Sequence, residues 1–83
     1  MDRAEALVTI KEVAAEVLSV DPDQVTEAAR FKEDLDADSL DLVELVMGLE
    51  ERFDISVPEE DLDGVATVGQ AVDLVMAKVA AKA

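Results

Sequence analysis

Cysteine and histidine are both absent from this chain of 83 residues, and their absence removes several kinds of chemistry at once. Without cysteine there is neither a disulfide framework nor a thiolate metal site. Without histidine as well, no Ser-His-Asp or Cys-His nucleophile can be assembled, and a transition-metal site would rest on carboxylates alone. The 3 glycines form neither a phosphate-cradling P-loop nor a dinucleotide fingerprint. No apolar run approaches the roughly 18 residues of a membrane span. Met1-Asp2-Arg3-Ala4-Glu5 lacks the basic and apolar regions of a signal peptide, so a soluble, unprocessed, cytoplasmic protein is expected. No internal repeat or low-complexity linker interrupts the chain, and its length and 51% hydrophobic content predict one domain, residues 1–83, with one modest core.

Bases are scarce too: 7 Lys or Arg face 21 Asp or Glu, a net charge of -14. The imbalance is concentrated, because Glu33 to Ala77 holds 14 acids and Arg52 as its one base, while residues 1–32 hold 7 acids against 4 bases. Such a field repels nucleic acid and anionic lipid and steers the chain toward basic patches on partners.

Four helical patterns follow. Leu7, Ile10, Val13, Ala14, Val17 and Leu18 recur at three- and four-residue spacings and predict a helix over Arg3 to Leu18, stopped by Val20-Asp21-Pro22. A long connection from Asp21 to Asp38 needs apolar anchors, for which Val25, Phe31 and Leu35 stand out. The second helix runs from Ser39 to Phe53, with Asp38 as its N-cap. At about 100° per residue, Leu42, Leu45, Val46, Leu49 and Phe53 share one face. Leu40 and Met47 lie nearly opposite, with Val43 at their flank and Glu44 and Glu51 interleaved, which reads as a docking strip ringed by carboxylates. Val57-Pro58-Glu59-Glu60 opens a short third helix ended by Gly64; its acids extend the charged face, and Val57, Leu62 and Val65 close one side of the core. Thr67 and Gln70 form the capping box of a fourth helix striped by Val68, Ala71, Val72, Val75 and Val79, with an Ala-Lys tail expected to fray. The expected fold is all-α, a four-helix up-down bundle with three longer helices and one short third helix.

Ser39 is the residue on which the chemistry is expected. It lies in the first turn of the most apolar helix, where unpartnered N–H groups and the helix dipole favour an attached phosphate. The stretch Asp34-Leu35-Asp36-Ala37-Asp38-Ser39-Leu40-Asp41, followed by Leu42-Val43-Glu44-Leu45-Val46-Met47 and later by Glu50-Glu51-Arg52-Phe53, Ile55-Ser56-Val57-Pro58 and Thr67-Val68, resembles the acyl carrier proteins over nearly the whole chain. The resemblance implies a non-enzymatic carrier with 4'-phosphopantetheine on Ser39, installed by a phosphopantetheinyl transferase (holo-ACP synthase). Acyl chains would ride on the arm as thioesters between enzymes that dock through basic patches, and the carrier would be a monomer. On matching positions it implies a partner surface of Asp38, Leu40, Asp41, Val43, Glu44, Met47, Glu50 and Glu51, extended by Glu59 and Glu60. It also implies an acyl pocket lined by Phe31, Leu49, Phe53, Val57 and Val65.

Asp-Ala-Asp-Ser-Leu-Asp resembles the fatty-acid carriers most, with polyketide carriers as the alternative. Two departures stand out: Asp36 replaces a common glycine, and Gly48 replaces a common alanine and should weaken its helix by roughly 0.5 to 1 kcal/mol. From another class, Asp34, Asp36 and Asp38 have the spacing of the first three ligands of an EF-hand, but Ser39 and Leu45 stand where that loop needs glycine and glutamate. An acidic helical interaction module without a prosthetic group would explain the charge and helices but not the placement of the serine.

Overall fold

The first helix, α1 (Arg3–Leu18), starts where the Asp2 carboxylate accepts from the Glu5 amide at 2.8 Å and stops where Ser19 turns left-handed at φ 56°. Val20 N–H then reaches back to the Ala15 carbonyl at 3.2 Å, closing the helix in the manner of a Schellman cap. Proline is therefore not the stop. Pro22 instead opens a 3₁₀ turn, Pro22–Gln24, held by a capping box between Asp21 and Gln24, an element the apolar periodicity does not announce. This computed structural model describes residues 2–82, except for the side chain of Glu59. Its remaining helices are α2 (Ser39–Phe53), α3 (Glu59–Leu62) and α4 (Val68–Lys82), an all-α bundle.

One cluster forms the core. Ala6, Ile10, Val13 and Ala14 of α1 meet Leu45, Leu49 and Phe53 of α2 and Val68, Ala71, Val72 and Val75 of α4. The long connection adds Val25, Ala29, Phe31, Leu35 and Ala37, all buried; the two alanines join the anticipated anchors. That connection also pairs with the start of α4. Phe31 N–H donates to the Ala66 carbonyl at 3.0 Å, Val68 N–H to Ala29 at 2.9 Å and Gly69 N–H to Glu27 at 2.9 Å, around an isolated antiparallel bridge between Arg30 and Thr67. Arg3 reinforces the seam, with Nε on the Glu27 carboxylate at 2.8 Å and Nη1 on that of Asp73.

α4 opens as expected: the Gln70 amide donates to Thr67 Oγ1 at 3.2 Å while Gln70 Oε1 accepts from the Thr67 amide at 3.0 Å. Its tail stays helical to Lys82, whose ammonium pairs with Asp54. Gly48 corrects its propensity reading. A Cβ built there would stand 2.8 Å from Cγ1 of buried Val13, so the glycine lets α1 and α2 approach closely.

Candidate functional site

Ser39 is exposed on the first turn of α2. The turn is built by reciprocal caps: Asp41 N–H donates to Asp38 Oδ1 at 2.9 Å, and Asp38 N–H donates to Asp41 Oδ2 at 3.2 Å. Asp38 was foreseen as the cap, but the return bond from Asp41 was not. The first intrahelical bond, Leu42 N–H to the Asp38 carbonyl at 3.1 Å, leaves the amides of Ser39 and Leu40 ahead of it, at the positive end of the helix dipole. Asp38 and Asp41 direct their bonds to backbone amides, so neither is placed as a base for the Ser39 hydroxyl.

Ser39 opens onto a cleft of about 650 Å³, bounded by Phe31, Lys32 and Glu33 of the long connection, Leu42 and Val43 of α2, and residues from Glu60 to Ala66. Beneath it lies an apolar cavity of about 30 Å³ lined by residues of α2, α4 and the α3 region, room for little more than a methyl group or one water. Phe31, Leu49, Val57 and Val65 line this cavity. The fifth expected lining residue, Phe53, does not: it sits in the core at the far end of α2. Leu42, Val46, Leu62 and Leu74 line it instead. Those four are half-buried, and amphipathicity alone assigns such residues to core or surface without distinguishing a cavity wall.

On the outward face of α2, Leu40, Val43 and Met47 are 66%, 40% and 58% exposed, and Glu44 and Glu51 are exposed beside them. Glu60 lies on the cleft rim, whereas Glu59 falls, by its side chain, outside the described residues. Glu50 turns away from that face. Its Oε2 accepts from the Val57 amide at 2.9 Å, fixing the loop that carries one wall of the cavity.

The acids before Ser39 are dispersed. Asp34 accepts from the Arg30 amide at 2.8 Å, which holds its carboxyl below the usual carboxylate range, aided by the Arg30 guanidinium. Asp36 sits at φ 55°, and Asp38 caps α2. Among the described residues no three acidic side chains converge as metal ligands, so the structure adds nothing to the calcium reading. Among the same residues no helix is long and apolar enough to cross a membrane.

Residues 8–75 match the family described as "Phosphopantetheine attachment site". The chain is 53% identical over 76 residues to the acyl carrier protein of Rubrobacter xylanophilus, covering 92% of this chain and 94% of that one. It belongs to the acyl carrier protein family. To the acyl carrier protein of Thermosynechococcus vestitus it is 47% identical over 81 residues, covering 98% of this chain and 100% of the other. Its fold superposes on a solved acyl carrier protein from Enterococcus faecalis with a TM-score of 0.76 at 35% identity, covering 94% and 99% of the two chains. Acyl carrier proteins are carriers, not catalysts, and 4'-phosphopantetheine is their prosthetic group, which accords with an exposed, capped serine lacking a base.

Proposed function

We propose that Ser39 is the attachment point of 4'-phosphopantetheine and that the chain is a single carrier domain serving fatty-acid synthesis. The observation that carries this reading is the placement of Ser39: exposed on the capped first turn of α2 at the mouth of the cleft. A phosphodiester on Oγ would sit beside the free amides of that turn and the positive end of the dipole. The arm supplies a thiol that holds the acyl group as a thioester. What the protein's own residues do is present the arm, shield its cargo and offer a docking face.

The docking face on this reading is Leu40, Val43 and Met47 framed by Glu44, Glu51 and Glu60, with Glu59 at the start of α3. Exposed apolar area supplies affinity, and the carboxylates supply orientation toward basic partners, first among them a phosphopantetheinyl transferase and then the synthesis enzymes. Asp38, Asp41 and Glu50 contribute charge while their bonds shape the backbone. Cargo would enter the apolar cavity through Phe31, Leu49, Val57 and Val65. The protein acts as a cytoplasmic monomer in this account.

The test is the intact mass after incubation with coenzyme A and a phosphopantetheinyl transferase. One phosphopantetheinyl group on the wild type and none on Ser39→Ala is expected. Equal modification of both, or of neither while circular dichroism shows both helical, would remove the assignment. Competition between fatty-acid and polyketide enzymes for the loaded form then decides the pathway.

A further inference from the structure

The cleft at Ser39 is rimmed by the acids Glu33, Glu60 and Asp63, and Lys32 is the one base among the described residues that line it. Asp38 and Asp41 add their charge at the serine's own turn. A phosphodiester on Ser39 therefore enters a field of its own sign, against which the dipole of α2 sets only about half an elementary charge. Lys32 is placed to supply more. Its backbone is held, because Phe31 before it is 1% exposed and the Asp34 and Leu35 amides both donate to the Arg30 carbonyl, at 2.8 and 3.1 Å. Ala37 N–H closes the turn on the Phe31 carbonyl at 2.8 Å. Lys32 and Ser39 thus stand one and two Cα steps of about 3.8 Å from the residues joined by that bond. The acids next to Lys32 in sequence are engaged by another base: Arg30 Nε lies 3.1 Å from Glu33 Oε2 and 3.5 Å from Asp34 Oδ2. Among the described residues Lys32 is exposed and enters no ion pair, whereas Arg3, Arg30, Arg52, Lys78 and Lys82 all do. Lys11, which also enters none, lies on α1, outside the cleft.

We infer that Lys32 is a positioning residue for the arm: its ammonium pairs with the phosphodiester on Ser39 and directs the root of the arm over the cleft. The inference rests on the proposed attachment at Ser39. A lysine suits the task, since its ammonium is a point charge on a flexible stem that can follow a phosphate in several orientations. The stem moves while its base does not, because the turn that carries it is tied to Phe31 and Ala37 in the wall of the cleft. Arg30 has a supporting part. By engaging Glu33 and Asp34 it keeps the two nearest carboxylates from competing for the Lys32 ammonium. The pair forms only once the phosphodiester is in place, so its effect belongs to the arm-bearing form and not to the bare fold. Being exposed, it is weakened by salt.

The experiment takes the bare and arm-bearing forms of the wild type, Lys32→Gln, Lys32→Arg and Lys11→Gln at low salt, and reads the phosphorus NMR resonance of the arm and the thermal midpoint of each form. Lys32→Gln is expected to displace the phosphorus resonance, Lys32→Arg to return it toward the wild-type position, and Lys11→Gln to leave it in place. The change of midpoint on attaching the arm should be less favourable in Lys32→Gln than in the wild type by about 2 to 4 °C. Taking that change within each variant cancels whatever Lys32 does for the bare fold, and the contrast should close as salt is added. A phosphorus resonance identical in the wild type and Lys32→Gln, or one moved as far by Lys11→Gln, overturns the assignment. So does a midpoint change on attachment that Lys32→Gln leaves as it is in the wild type. Attachment elsewhere than Ser39, or none, is read separately by mass, and it removes the Ser39 assignment itself and the role of Lys32 with it.

Discussion

The connection from Ser19 to Asp38 buries Val25, Ala29, Phe31, Leu35 and Ala37, while the connection from Asp54 to Thr67 leaves Ile55, Val57, Leu62 and Val65 only half-buried. Both border the cleft at Ser39. The first is sewn by backbone bonds to the start of α4 and to Ala66 just before it and to α1 by Arg3 on Glu27; the second shares that seam only at its end, Ala66 and Thr67, and before it leans on side chains, Glu50 on the Val57 amide and Lys78 on Asp61. Backbone pairing and complete burial make a wall, because moving it would orphan amides and expose apolar area together. Half-buried leucines and valines on a one-turn helix make a cover, since little is lost when it shifts. On the proposed reading the two divide the work, one side keeping the shape of the cleft and the other admitting cargo.

Truncation should separate the two connections most sharply. Phe31→Ala removes an almost wholly buried ring from the wall and is expected to cost about 3 to 5 kcal/mol, a large part of the 5 to 15 kcal/mol or so that a small domain possesses. Leu62→Ala, on the half-buried cover, is expected to cost about 1 to 2 kcal/mol, below the 2 to 5 kcal/mol or so of a buried leucine. Urea unfolding followed by circular dichroism measures both. Equal losses would mean that the cover is as much part of the core as the wall, and the contrast would fail.

What the sequence made legible follows the same division. α2 appears with its observed boundaries because the cap at Asp38 coincides with the start of apolar periodicity; α1 follows from the spacing of its apolar residues, while its cap at Asp2 emerges only in the structure. Val25, Phe31 and Leu35 could be named as anchors because they are the large apolar residues in a polar stretch. The seam of Ala29 and Phe31 against Val68 and Ala66 left no trace, since pairing between backbones distant in sequence needs no particular side chain. The serine was legible from its local turn. The cavity was only partly so: whether a half-buried residue such as Leu42 or Leu74 faces a void depends on how three elements meet, and Phe53 shows that a core-facing aromatic need not line it.

Gly48→Ala tests whether the α2 side is as rigid as the wall. Helix propensity alone favours alanine by about 0.5 to 1 kcal/mol, but the Cβ would press on Val13 Cγ1 at 2.8 Å, and overpacking a tight core costs about 1 to 3 kcal/mol. The net expectation is a loss of about 1 kcal/mol. In the Val13→Ala background the same substitution should turn favourable, and the double-mutant cycle isolates that contact. A gain in the wild-type background would mean that α1 and α2 separate freely.

A smaller effect is expected within the wall itself. Asp36 holds φ 55°, a left-handed conformation that favours glycine over most side chains. Asp36→Gly should therefore raise stability by about 0.5 kcal/mol, as relief of strain outweighs the added freedom of the unfolded chain. A loss would show that the aspartate has a compensating role in the turn.

The least change should come from acid, and it has two signs. From pH 7 toward 5, protonation begins to relieve the repulsion among the carboxylates crowded between Glu33 and Asp63, so the midpoint should rise, as it should on adding salt. Asp34, lowered by the Arg30 amide, and Asp54, lowered by Lys82, act oppositely. Each has a folded value below the ordinary 3.8, so its contribution is complete above that value and is lost as the pH falls through the lower folded one. Thermal midpoints against pH should thus pass through a maximum and fall on the acid side. Asp34→Asn, in the wall, and Asp54→Asn, where the cover begins, should each flatten that acid limb slightly, the groups being exposed. A midpoint that falls from pH 7 to 5, or with modest salt, would show that pairing rather than repulsion governs the acidic half of the molecule.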